Sequence, residues 1–285
     1  MKQLLLFLLI LSLTGCAAPV PPEPDPPAVE VMAVTPEPEV KPQYLGIAAV
    51  ASISDSMHAT YDFPGAAHTE VTVTAVVLDD NGVIRQCCID GISADIPFDA
   101  TGSLQLEEGT RFASKAELGR DYGMHKASPL GTDWHQQSAA FAADCVGKTL
   151  EQLMPGDTVT SVTISTDALL QAVYRAAKNA RAQEIGEGDR LTLTCYGVMK
   201  PSCSARIDDG SAGLACFRAA AGAFVLQNNT VVAESCTALN SAIPFSAEGR
   251  IDCDLSTALS PLSPVLTPDQ PAVHECNTLK AMATA

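Results

Sequence analysis

The sequence predicts an α+β fold: a sheet of hairpins with packed helices, followed by a smaller, mostly β half-copy of the same unit. Three observations lead there. Residues 70–92 alternate apolar and polar side chains around Asp80-Asn81-Gly82, a strong hairpin signal. Residues 166–183 carry an apolar stripe at helical spacing, formed by Leu169, Val173, Ala176 and Ala180. Finally, residues 45–102 return as residues 191–249. The clearest block is Ile96-Pro97-Phe98 with Ala100 and Gly102, which reappears as Ile243-Pro244-Phe245 with Ala247 and Gly249. Ser56 and Ala59 match Ser202 and Ala205, while Leu78, Asn81, Val83 and Cys88 match Leu226, Asn229, Val231 and Cys236. Small indels account for the drift in spacing, and the ordered matches mark a tandem duplication.

In chain order, the first element is an export signal. Met1-Lys2 gives a basic start, and residues 4–13 are nearly unbroken Leu, Phe and Ile. That run falls short of the ~20 residues a spanning helix needs, so residues 1–15 read as a signal peptide. It ends in Leu13-Thr14-Gly15-Cys16, which resembles a bacterial lipobox. The resemblance implies cleavage before Cys16 and lipid attachment to its thiol. The mature chain is then exported and lipid-anchored to the outer face of the cell membrane, or to the outer membrane in a Gram-negative cell. Residues 16–43 follow as a tether, with nine prolines between residues 17 and 43. Proline fixes φ and removes donors, so an extended, solvated spacer is expected. The remainder divides into a first domain, residues 44–186, and a partial repeat, residues 187–285, ending in an irregular tail beyond Pro261.

The formal charge of −16 excludes a nucleic-acid partner, because phosphate binding needs clustered Lys and Arg. It also disfavours docking of the folded part on an anionic membrane surface; in an exported protein such acidity is a solubility device. Beyond Cys16 there are nine cysteines, an odd number, so at least one thiol has no internal partner. No Cys-x-x-Cys occurs and the histidines show no zinc spacing. Disulfides and buried apolar thiols both remain open. His274-Glu275-Cys276 reads as a chance cluster. Asp79, Asp80 and Asn81 are too few to hold calcium, and the hairpin accounts for them.

In the first hairpin Val71, Val73, Ala75 and Val77 are expected to face one side, with Val83 and Ile89 on the returning strand. Ser114 and Glu117 form a capping box on a short helix stopped by Gly119. Asp133 caps a second helix with Trp134, Ser138, Phe141, Ala142 and Cys145 on one face, closed by Gly147. Residues 157–166, DTVTSVTIST, then read as a strand with Val162 and Ile164 inward and Ser161, Thr163 and Ser165 outward. Ser165 or Thr166 caps the helix that follows. The second copy ends before any counterpart of this stretch.

Three segments carry a family resemblance: the hairpin through Asp80-Asn81-Gly82-Val83-Ile84, the Lys115…Asp121-Tyr122-Gly123-Met124…Gly131-x-x-Trp134-x-x-Gln137 region, and the strand–helix junction. Over roughly residues 44–184 the chain resembles the FMN-binding-domain lipoproteins of bacterial surfaces. In that family a flavin transferase links FMN through its phosphate to a Thr or Ser hydroxyl. The resemblance implies Asp157 as the motif aspartate, Thr160 as its Ser/Thr position and Thr163 as the acceptor. Ser161 and Val162 stand where the family has Gly and Ala. Glycine permits backbone shapes that serine resists, and Val162 adds β-branched stiffness beside the acceptor. Trp134, Tyr122 and Met124 are expected to line a bound ring.

The resemblance implies a tethered electron carrier rather than an enzyme, with covalent FMN as cofactor and a flavin transferase and membrane electron donor as partners. The alternative is a flavin-free surface lipoprotein that binds another small ligand or serves structurally. A hydrolase finds no support: there is no Gly-x-Ser-x-Gly and no zinc signature.

Overall fold

The computed structural model describes residues 42–156, 159–255 and 265–285. The signal peptide, Cys16, nearly all of the tether and Asp157 lie outside the described residues.

Two antiparallel sheets form the body. The first is built from β1 (Gln43–Ser52), β2 (Gly65–Leu78), β3 (Ile84–Phe98) and β5 (Arg181–Gln183), in the order β3-β2-β1-β5. The second contains β4 (Arg111–Phe112), β6 (Arg190–Met199), β7 (Gly213–Gln227), β8 (Thr230–Phe245) and β9 (Leu266–Asp269), in the order β4-β6-β7-β8-β9. The sheets do not divide strictly by sequence, since β4, from the first half of the chain, joins the second sheet beside β6. The helices are α1 (Lys115–Leu118), α2 (Trp134–Cys145), α3 (Asp167–Asn179) and α4 (Val273–Thr284).

The sheets meet face to face over one apolar core. Val71, Val73, Ala75 and Val77 of β2 share it with Ala219, Ala221, Ala223 and Val225 of β7. The opposite face of β2 is also buried, so the hairpin is not one-sided. Val76 and Leu78 pack under Leu169, Val173 and Ala176 of α3 and Phe141 and Ala142 of α2. On the second sheet, Ala220 and Phe224 pack under Leu279 of α4. The layers therefore run helix, sheet, sheet, helix. Covering a sheet on both faces permits near-continuous apolar strands such as β2 and β7.

The long hairpins of the two sheets carry a bulge at corresponding points. Leu78 pairs with Ile84 after Val77 pairs with Gln86, leaving Arg85 bulged. Leu226 pairs with Val231 after Val225 pairs with Ala233, leaving Val232 bulged. The matches of Val83 to Val231 and Cys88 to Cys236 are thereby corrected to Ile84 with Val231 and Ile89 with Cys236. The cause is a shorter turn: the second hairpin closes on Asn228-Asn229, both with positive φ, as a two-residue turn requires. Val83 lies in the first turn, and Ile89 faces the helices rather than the side of Val71. A bulge adds one residue and so flips the face of everything beyond it.

The ends of the two hairpins interlock. Phe98 and Phe245 stack with ring centroids 4.3 Å apart. Ala59 N–H donates to Gly249 O at 2.7 Å, and Ala205 N–H donates to Gly102 O at 2.8 Å. Gly102 and Gly249 both have positive φ, and a Cβ on either would meet Ala205 or Ala59 at 2.7 Å. Only glycine suits both demands.

Contrary to the expectation of an irregular tail beyond Pro261, the described residues from Val265 onward hold a strand and a helix. β9 extends the second sheet beside β8, and α4 covers its outer face. Its helical signal is weak in sequence because few of its residues are apolar and large. His274-Glu275-Cys276 opens this helix, and Glu275 is buried against Arg218, with Nε at 2.7 Å and Nη2 at 2.9 Å from its two carboxylate oxygens.

Candidate functional site

The long connection from β3 to β5 builds the site. Ser114 caps α1 by accepting the Glu117 N–H at 3.1 Å, and Gly119 ends it. Two short 3-10 turns, Gly119–Tyr122 and Met124–Lys126, meet at Gly123, whose φ is 82°. The chain then enters α2 at Asp133, whose N–H donates to Gln136 Oε1 at 2.9 Å. His125 Nδ1 meets the Asp133 carboxylate at 3.0 Å.

α2 directs Trp134, Gln137, Ser138 and Phe141 inward. Gln137 is 1% exposed and is the organising residue. Its Oε1 accepts the Thr163 N–H at 2.7 Å, the Thr163 hydroxyl at 3.1 Å and the Ile164 N–H at 3.2 Å. Its Nε2 donates to Ser128 Oγ at 3.3 Å and contacts Met124 Sδ at 3.8 Å. The two motifs quoted from the sequence, Trp134-x-x-Gln137 and the threonine-rich stretch, are thus joined by one side chain.

Residues 159–166 of that stretch do not form a strand. Val162 N–H donates to Val159 O at 3.2 Å, closing a turn with Thr160 and Ser161 at its corner. Ser161 has φ 69°, the left-handed value that glycine takes at the third position of a type II turn. The amides of Thr163 and Ile164 go to Gln137 instead of a neighbouring strand, which is why β propensity is overridden. The inside-out alternation survives without the strand. Val159, Val162 and Ile164 pack into the helix-side core, while Thr160, Ser161, Thr163 and Ser165 are exposed. Thr166, not Ser165, is the residue at the head of α3.

Of the expected ring-lining residues, Trp134 and Tyr122 are engaged otherwise. Lys115 Nζ lies 4.7 Å from the Trp134 ring centroid and 4.8 Å from that of Tyr122, at cation–π range. Lys115 is 3% exposed and forms an ion pair with Glu70 of β2. The charged chain continues outward. His68 Nε2 is 3.9 Å from Glu70 Oε2, and His68 Nδ1 is 2.7 Å from Asp95 Oδ1. Burial works to lower the pKa of His68, but the Asp95 contact, with Glu70 and Asp55 behind it, holds it above the ordinary histidine value. Met124 touches Gln137 and packs on the helix-side core.

Sequence reasoning did not single out Lys115 as buried, and nothing local distinguishes it from a surface lysine on a short helix. Asp90 was likewise unmarked. It is buried and accepts the N–H groups of Gly91 at 2.7 Å and Ala116 at 3.0 Å, fixing α1 to β3. Burial pushes its carboxyl above the usual range. Asp79 caps its own turn by accepting the N–H groups of Asn81 and Val83, each at 2.9 Å. Among the described residues no three His, Cys, Asp or Glu side chains gather as metal ligands. A separate cavity of about 840 Å³ is lined by Pro42, Val232 and residues 182–186.

No family model, curated protein or solved structure matches the chain.

The fit of a phosphate-linked flavin can be judged from these contacts. Thr163 is exposed, and its hydroxyl proton points at Gln137, which leaves its lone pairs free for an incoming phosphorus. The backbone at the glycine position keeps a glycine-like φ although serine stands there. Thr163 therefore offers an accessible hydroxyl of the kind a phosphoester link requires, while Trp134 and Tyr122 are taken up by Lys115.

Proposed function

We propose that this chain is an exported lipoprotein, anchored through Cys16 and carried on its proline-rich tether, whose folded body is an FMN-binding-type unit with an abbreviated second copy. Thr163 is the attachment point for FMN, added by a flavin transferase, and the protein carries electrons from a membrane donor rather than catalysing a reaction of its own. The observation that carries this reading is the Gln137 clamp, which presents an exposed Thr163 hydroxyl one residue beyond a left-handed turn.

A bound flavin supplies the electron-accepting ring. The protein supplies the rest: Gln137 fixes the acceptor, Val162 and Ile164 root the loop in the core, and α3 begins at Asp167 shortly after it. The acceptor proton already sits on a hydrogen bond, so the hydroxyl needs little reorientation before attack.

The test is co-expression with a flavin transferase and intact mass measurement. Wild type gains one phosphodiester-linked FMN and flavin absorbance; Thr163→Ala loses both, and Ser165→Ala, an exposed hydroxyl outside the motif, keeps them. A colourless, unmodified wild-type protein overturns the reading. The 840 Å³ cavity beside β5 favours a second one, a flavin-free lipoprotein that takes a small ligand there. Screening the unmodified protein for ligand-dependent thermal shifts, lost on filling the cavity by Ala182→Trp, tests it.

A further inference from the structure

All nine cysteines within the described residues carry free thiols. Four of them stand as two pairs, each set between a helix and the strand beneath it. Cys87 of β3 and Cys145, the last residue of α2, share the helix-side core and neighbour each other there. The backbone locks that approach, because Gly147 N–H donates to Ile84 O at 2.8 Å and Ile84 N–H to Lys148 O at 2.9 Å. Cys236, two residues beyond Glu234 on the same face of β8, stands beside Cys276, one turn before Lys280 on α4, because the Lys280–Glu234 ion pair brings those two faces together. These two thiols are flanked by the Lys280–Glu234 ion pair at 2.8 Å and the Glu275–Arg218 pair at 2.7 Å.

The remaining thiols have other surroundings. Cys88 follows Cys87 in sequence but points to the opposite face, toward Leu191 O, so it does not compete for Cys145. Cys195 lies against the Asp90 carboxylate. We propose that the exported chain closes Cys87–Cys145 and Cys236–Cys276 as two structural disulfides, one fastening each outer helix layer to its sheet. For each bond two S–H groups are lost and one S–S bond forms. The two electrons and two protons pass to an exchanging disulfide outside the cytoplasm, which leaves as a dithiol.

Placement also sets the timing. Mutual contact and burial push the Cys87 thiol up, and burial first of all pushes Cys236 up to about 12. Thiolate is the reactive form, so the docked pairs react slowly. The bonds therefore form as the helices settle on the sheets and, once buried, resist exchange.

The experiment is alkylation of the exported full-length chain after denaturation without reductant, followed by intact mass measurement and non-reduced peptide mapping. The expected result is two cross-linked peptide pairs, with four of the nine thiols protected from alkylation until reduction. Cys87→Ser frees Cys145 for alkylation without moving the link to Cys88; Cys276→Ser likewise frees Cys236. Reduction of the wild type lowers its thermal midpoint by roughly 5–15 °C, and the double variant no longer responds to reductant. Reaction of all nine thiols without reduction overturns the proposal, as does any other pairing, such as Cys203 with Cys216.

Discussion

The two sheets place opposite charges at equivalent points. Glu70 on the outer face of β2 pairs with Lys115, which arrives from the long connection between β3 and β5. Arg218, at the matching position of β7, pairs with Glu275 of α4 and with Asp269, the last residue of β9. Each central strand thus buries one charge beneath its covering layer, and each layer brings the counter-ion. The sign has been exchanged while the pairing has been kept. What the two halves share is the paired-hairpin frame; what they do not share is the connection. In the first half that connection holds α1, α2, Gln137 and the Thr163 loop, whereas the described residues after β8 form the strand β9 and the helix α4. The candidate chemistry lies wholly in the unshared part.

The shared frame is tested at its centre. Phe98 and Phe245 stack on each other, and each ring also fills the space above a glycine. A Cβ on Gly65 would lie 2.5 Å from Phe98 Cε2, and one on Gly213 would lie 2.3 Å from Phe245 Cε2. Phe98→Ala and Phe245→Ala should each cost about 3–5 kcal/mol in denaturant unfolding. Because the rings touch, the double variant should lose less than the sum. Strongly unequal single losses, or simple additivity, would break the equivalence of the two halves.

The exchanged ion pairs come next. Arg218→Met strands the buried Glu275 carboxylate and should cost about 3 kcal/mol. Lys115→Met leaves Glu70, which is 27% exposed in its side chain and reached by water, so the loss should be nearer ~1–2 kcal/mol. The pH dependence separates them further. The Arg218 guanidinium holds Glu275 below the ordinary glutamate value. A depressed carboxyl contributes stability above its unfolded pKa and loses it as pH falls through the folded one. Wild type should therefore lose stability across that acid window, and Arg218→Met should show a flatter profile there. Equal costs and unchanged profiles would show that the two pairs are not differently buried.

Much of the frame was legible because its signals are local. Asp80-Asn81-Gly82 marked a hairpin, Leu169, Val173 and Ala176 marked α3, and Ser114 and Asp133 marked helix starts. The slip over Cys88 and Cys236 had a physical source. The two turns differ by one residue, and identical letters aligned across that gap although the strand pairing assigns Cys236 to Ile89. α4 escaped notice because it rests on Leu279 and a buried ion pair rather than on an apolar stripe. The threonine-rich stretch misled for a different reason. Its propensity is that of a strand, but the acceptor that claims its amides, Gln137, lies on another element. A buried lysine between two rings is likewise a property of the assembled site and leaves no pattern in sequence.

The smallest expected effect bears most directly on the unshared half. Ser161 holds φ 69° at an exposed corner, and none of its side-chain atoms is needed by the core. A left-handed residue with a Cβ costs roughly 1–2 kcal/mol, and glycine removes that cost while adding freedom to the unfolded chain. Ser161→Gly should therefore raise stability by about 0.5–1 kcal/mol. The same change places a small residue next to Val162 and opens the approach to Thr163. If Thr163 is the acceptor, flavin incorporation in the co-expression assay should rise together with stability. A gain in stability with no gain in incorporation would leave the turn as a purely structural corner. A loss of stability would show that the serine, not the backbone, is what the loop uses.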